Sequence, residues 1–360
     1  MSKKYKSPLH EMAMTTPTDF WNDSCAISEL EYAIENGAVG ATTNPVIVGN
    51  VLKSEMPQWE GRIRELVAEN PEGSEEDITW LLNEEMAVKA GKLLLPVFEE
   101  SKGKKGRISI QTNAKYYRNW KLMADQATHF DTLAPNMQVK MPATAAGIKA
   151  VEEATARGVS INATVSFTVP QAVAVAEAVQ RGLERRRAAG EDTSMMSPIC
   201  TIMVGRLDDW LKVVMNKENV ITDPGYLEWA GVAAFKKAYE IFQEKGYETR
   251  LLAAAYRNHM QWSEFIGGEV SLTIPGKWQK RFNASDVTVE NRMAKPVDPA
   301  IIAELSKKFP DFVRAYEPYG MKPEEFDFFG STARTLRGFI KGYEETLGMV
   351  RDIMLPNPDK

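Results

Sequence analysis

The chain has 360 residues, with 44 Lys and Arg against 49 Asp and Glu, 44% hydrophobic residues and a formal net charge of −5. That balance describes a globular chain able to bury a large core and excludes disorder as its main state. No run approaches the roughly 20 apolar residues of a membrane helix, no basic stripe suits nucleic acid, and the basic start 1–6 leads into polar residues instead of a signal segment. A cytoplasmic protein acting on a small molecule, with no membrane or nucleic-acid partner, is expected.

Short apolar or β-branched runs bounded by turn residues recur along the chain, with helically spaced segments between them. In order they are 19–23, 39–44, 107–112, 137–142, 159–166, 198–205, 250–256 and 269–274. The gap 45–106 is too long for one crossover and predicts two helices, 56–68 and 74–101, the second capped by Ser74 with Asp77. Beyond Ile274, residues 277–296 read as loop. Asp298 and Pro299 then start a helix, and a last long helix carries Leu336, Phe339, Ile340, Tyr343, Leu347, Val350 and Met354 on one stripe. Strands alternating with helices imply parallel pairing, and eight of them predict an α/β fold, a (β/α)8 TIM barrel, over 19–276. An N-terminal arm, 1–18, precedes it, and a helical C-terminal extension, 277–360, packs on it. The stripe fits either the barrel or a second subunit, which leaves a homo-oligomer open.

In such a barrel the chemistry belongs at the C-terminal ends of the strands. The first run closes with Asp23, the second with Asn44 and the third with Gln111. The fourth carries Lys140, the fifth Asn162 and Thr164, the sixth Thr201, and Arg206 and Arg257 follow the sixth and seventh. Lys140 lies between Val139 and Met141, so if these face the helices it faces the barrel interior. A buried lysine sheds its proton to become the neutral amine that attacks a carbonyl; an exposed strand lysine is the alternative. Asp23 can serve as the base for bond cleavage, or else cap a helix or turn at 24–28. The forks of Arg206 and Arg257 suit an anion such as phosphate, or surface ion pairs. His10, His129 and His259 are isolated, and neither GxGxxG nor a Walker loop occurs, so no metal and no cofactor is expected. Cys25 and Cys200 read as small buried hydrophobes, and the charged run 184–187 as a solvated helix face.

The segments GATTNP (40–45), VKMPATAAGIKA (139–150), INATVSFTVPQA (161–172), VGRLDDW (204–210) and AAAYRN (253–258) together resemble the transaldolase family. The resemblance implies a class I aldolase barrel in which Lys140 forms a Schiff base with a ketose phosphate and Asp23 is the acid/base for carbon–carbon cleavage. It further implies that Asn44, Asn162 and Thr201 bind the dihydroxyacetone unit, that Thr164 helps hold the water of imine formation, and that Arg206 and Arg257 take the phosphate. The partners would be sugar phosphates of the pentose phosphate pathway. Three positions depart from the family: Gln111 replaces the usual Glu, Thr201 replaces Ser, and Ala255 stands where a phosphate-binding Ser is common. Gln at 111 is a feature of fructose-6-phosphate aldolases, which release free dihydroxyacetone, so that activity is the alternative. A non-catalytic sugar-phosphate-binding barrel is a third reading.

Overall fold

The computed structural model describes residues 5–359; positions 1–4, which open the expected arm and most of its basic start, and Lys360 lie outside the described residues. Eight parallel strands close a barrel in chain order: β1 (Asp19–Asn22), β2 (Ala38–Thr42), β3 (Arg107–Gln111), β4 (Met137–Pro142), β5 (Ile161–Ser166), β6 (Ile199–Met203), β7 (Arg250–Ala254) and β8 (Ser271–Ile274). Helices follow the strands, as a (β/α)8 fold requires. Alternation along each strand sends Val139 and Met141 into the hydrophobic core under the helices and leaves Gln138 and Lys140 on the opposite face. Branched apolar residues usually fill such a barrel, yet this interior is polar and internally bonded. Thr201 Oγ1 donates to Asn162 Oδ1 at 2.6 Å, Asn162 Nδ2 to Ser109 Oγ at 3.0 Å, and Ser109 Oγ to Gln138 Oε1 at 2.9 Å.

At the strand starts, Asp19 ion-pairs with Lys105 at 2.8 Å and with Arg250. These charges line a cleft of about 450 Å³ at the end of the barrel opposite the polar strand ends. Because they satisfy one another, they fasten β1 to β7 and to the turn before β3.

Two helical expectations need correction. The gap after β2 holds four helices: Pro45–Ser54, Met56–Glu69, Glu75–Lys92 and Leu95–Glu100. The third has the expected capping box of Ser74 and Asp77. It stops at Lys92 because Pro96 has no N–H for the Lys92 carbonyl and its ring crowds that carbonyl. The stretch 277–296 is not all loop, since a helix, Gly276–Asn283, opens it. Tertiary contacts hold this helix: Gln279 Nε2 donates to Asn22 Oδ1 at 2.6 Å and to the Ile274 carbonyl at 2.7 Å, and Phe282 stacks on Trp262 at 4.6 Å.

The last helix, Gly330–Met354, buries Leu336, Phe339, Tyr343, Leu347 and Val350, with Ile340 and Met354 half-buried. It packs on Pro45–Ser54 and Glu75–Lys92 and on the short turn Ala114–Tyr116 after β3. At its start Thr332 Oγ1 accepts from Gln171, just after β5, at 3.3 Å, and Ser331 Oγ donates to the Arg206 carbonyl, just after β6, at 3.2 Å. Every one of these partners follows the C-terminal end of a strand or covers it, so the helix runs across the barrel mouth. Among the described residues no helix is long and apolar enough to cross a membrane.

Candidate active site

Lys140 is 4% exposed, and its Nζ donates to the Thr43 carbonyl at 2.9 Å. Burial pushes its ammonium down to about 8, with the Asp23 carboxylate pulling the other way. Gly147, one turn into the helix after β4, explains the tight motif around this lysine. A Cβ there would stand 1.7 Å from the Pro142 carbonyl oxygen, so only glycine lets the helix start this close to the strand end.

Asp23 follows β1 and caps no helix; the next one, Ile27–Glu35, begins at Ala26 without a side-chain cap. Burial raises its carboxyl above the ordinary aspartate range, opposed by Lys140, by a hydrogen bond from Thr42 and by Arg206. Thr42 Oγ1 donates to Asp23 Oδ1 at 2.7 Å, so in the 2.6 Å contact between Thr42 and Thr273 hydroxyls Thr273 is the donor. This relay from β8 through β2 fixes the orientation of the carboxylate.

Strand register places Gln111 beside Lys140 and Lys140 beside Asn162. Asn162 and Thr201 are bonded to each other, which leaves the second Nδ2 hydrogen of Asn162 and the lone pairs of Thr201 for a ligand. Gln111 Oε1 is buried without a protein partner, as is Asn83 Oδ1 from the helix Glu75–Lys92. Both residues line a cavity of about 20 Å³ with Asn44 and Tyr343, room for about one water. Asn44 also caps the helix Pro45–Ser54: its Oδ1 accepts from Val46 N and Ile47 N at 3.0 Å each, which leaves its Nδ2 for a ligand. Thr164 is fully buried with its hydroxyl 4.0 Å from Met203 Sδ. The residues Val165 and Ala255, at the ends of β5 and β7, have φ of 53° and 66°, backbone strain of the kind that collects at functional sites.

The two expected anion ligands part company. Arg257 Nε lies 3.1 Å from both Asp209 oxygens and its Nη2 2.7 Å from Oδ2, while Nη1 donates to the carbonyls of Ala255 and Tyr256. The ion-pair reading therefore describes much of Arg257. Arg206 Nε, in contrast, is buried with no partner. Its guanidinium is pushed below the usual arginine value by burial first and by Arg257 next, with Asp209 and Asp23 opposing and Arg334 adding to the repulsion. The strand-end reading missed Thr42, Thr43 and Asp209, though all three sit inside motifs it singled out. It also missed Asn83, Tyr343 and Arg334, which come from helices distant in sequence. Among the described residues no cluster of three or more His, Cys, Asp or Glu is placed to hold a metal, and both cysteines are free and buried.

A sequence profile of the transaldolase/fructose-6-phosphate aldolase family matches residues 20–316. A transaldolase of Thermobifida fusca is 28% identical over 276 residues, covering 71% of this chain and 72% of that protein. One of Mycobacterium tuberculosis is 29% identical over 230 residues, 63% of this chain and 61% of that protein. One of Thiobacillus denitrificans is 30% identical over 212 residues, 58% of each. The matched stretch of this chain thus spans less than two thirds of the length of the latter two relatives. The profile match ends before the helix Gly330–Met354 begins.

Proposed function

The chain belongs to the transaldolase/fructose-6-phosphate aldolase family, and on that premise we propose that it moves a dihydroxyacetone unit from a ketose phosphate to an aldose phosphate through a Schiff base on Lys140. Fructose 6-phosphate and sedoheptulose 7-phosphate are the donors that fit this chemistry. One observation carries the reading: a lysine buried in the barrel interior, brought down to about 8, with the half-buried Asp23 carboxylate as its electrostatic partner.

In the neutral form, Lys140 Nζ adds to the C2 ketone, and with one proton taken up from solvent the C2 oxygen leaves as water, giving a protonated imine. Asp23 takes the proton from the C4 hydroxyl, the C3–C4 electron pair flows into the imine, and the aldose phosphate departs. The remaining enamine attacks the aldehyde carbon of the acceptor. Asp23 returns its proton to the new hydroxyl oxygen, and water hydrolyses the imine to free Lys140. Gln111 and Thr164 hold that water, and Asn44 Nδ2, Asn162 and Thr201 take the hydroxyls of the three-carbon unit. Arg206 binds the phosphate, and Arg257, set by Asp209, supports it.

Gln111 favours a second reading, an aldolase that releases dihydroxyacetone without an acceptor. An amide neither gives nor takes a proton in this range, so water activation falls to Asp23 and Thr164. Borohydride reduction in the presence of fructose 6-phosphate, followed by mass spectrometry, tests the shared step: an adduct is expected on the peptide holding Lys140 and none in Lys140→Ala. An unmodified wild type would refute both catalytic readings and favour a barrel that only binds. Turnover that requires erythrose 4-phosphate identifies the transferase, and turnover without it the aldolase.

A further inference from the structure

The anion end of the site is incomplete if it consists only of the residues the motifs nominate. Ala255 offers no hydroxyl, and the Arg257 guanidinium is largely taken by Asp209 and by two carbonyls. Gly205 makes room for this arrangement: a Cβ there would lie 2.1 Å from the Ala255 carbonyl, so the start of the helix after β6 and the end of β7 are in close approach, bringing Arg206 and Arg257 together.

The terminal helix adds a third cation. Ser331 is bonded to the Arg206 carbonyl at 3.2 Å, and Arg334 lies one turn further along the same face of that helix. It is close enough for its charge to act on Arg206. Neither Arg206 nor Arg334 has an ion-pair partner among the described residues, and Asp209 is the carboxylate that pairs with Arg257. Three guanidinium groups from three elements, with one bonded carboxylate, leave a local excess of about two positive charges, and a phosphate monoester carries about −1.5 to −2 at neutral pH. Neighbouring cations in excess of their counter-charges repel one another, and an anion that bridges them relieves that repulsion.

We propose that Arg334 completes the phosphate-binding site with Arg206 and Arg257, so that the C-terminal helix supplies the donor lost at Ala255 and makes the enzyme select phosphorylated sugars. The inference rests on the proposed function for the identity of the sugar, but the anion site itself does not depend on catalysis.

Two measurements on the full chain test it. Calorimetric titration with inorganic phosphate should show binding to the wild type that weakens roughly tenfold or more in Arg334→Gln, the loss expected for a charge-assisted contact. Lys341→Gln, an equal charge change on the same helix at a lysine paired with Glu345, should bind as the wild type does. In kinetics, Arg334→Gln should raise KM for fructose 6-phosphate by a similar factor with little change in kcat. It should leave borohydride trapping of unphosphorylated dihydroxyacetone on Lys140 unaltered, a readout that a misfolded mouth would not preserve. Equal phosphate affinity in wild type and Arg334→Gln, or a wild type that binds no phosphate, would overturn the proposal even if Lys140 forms its adduct. Conversely, a phosphate affinity that falls in Arg334→Gln in a protein that forms no adduct would uphold the anion site and remove the catalytic reading.

Discussion

Replacing Lys140 with Met should make the protein more stable relative to wild type at neutral pH than at high pH. An ordinary lysine titrates near 10.5, and burial brings Lys140 down to about 8. Below pH 8 the folded protein carries a charged ammonium that the unfolded chain accommodates better. A displacement from 10.5 to about 8 corresponds to about 3 kcal/mol of destabilisation at pH 7. Between the two values the unfolded state holds more protons than the folded one, so wild-type stability rises with pH, and roughly 2 kcal/mol of the deficit disappears between pH 7 and 9.5. Met also removes the hydrogen bond to the Thr43 carbonyl, a loss of about 1 kcal/mol at every pH. The difference between the proteins is therefore expected to swing by about 2 kcal/mol over that range, whatever the value of the hydrogen bond. Urea denaturation of both proteins at pH 7, 8 and 9.5 measures it. A pH-independent difference would show that Lys140 titrates as an ordinary lysine and would remove the basis for its nucleophilic role. The same titration governs wild-type trapping: roughly a tenth of Lys140 is neutral at pH 7 and half at pH 8, so the rate should level off above about pH 9 instead of climbing through pH 10.

Asp23→Asn removes the charge that holds the Lys140 ammonium up, so the trapping profile should move to lower pH while ketose cleavage is lost; an unmoved profile would separate the two groups electrostatically. Thr201→Val leaves Asn162 Oδ1 without its donor inside the barrel, and denaturant midpoints should report a loss of roughly 1 to 3 kcal/mol. Deleting residues 279–360 strips Phe282 from Trp262 and uncovers the surface under Leu336, Phe339 and Leu347. Insoluble product is expected on expression, and a soluble, active truncation would show that the barrel folds without its extension.

Much of the catalytic reading was legible in the sequence because strand alternation is a local property. Val139 and Met141 on either side of Lys140 dictate that its side chain points the other way, and eight such runs with helical spacers leave few topologies besides the closed barrel. Capping chemistry is equally local, as Ser74 with Asp77 and Asp298 with Ala300 show. Asp23, just after β1, and Gln111, the last residue of β3, could be nominated by position alone.

What only the tertiary structure decided is which of those polar groups remain free to act. Asn44 Oδ1 is committed to a helix cap, leaving its Nδ2, and the Arg257 guanidinium is largely held by Asp209, while Arg206 Nε and Gln111 Oε1 stay without partners. The helix Gly276–Asn283 was invisible for the same reason, since Trp262 and Asn22, which hold it, come from elsewhere in the chain. Arg334 stands more than 120 residues from Arg206, on a helix whose apolar stripe specifies that it must be buried but not against what. Periodicity encodes the face an element hides; the charge an arginine feels depends on groups brought near by folding, and no local pattern records those distances.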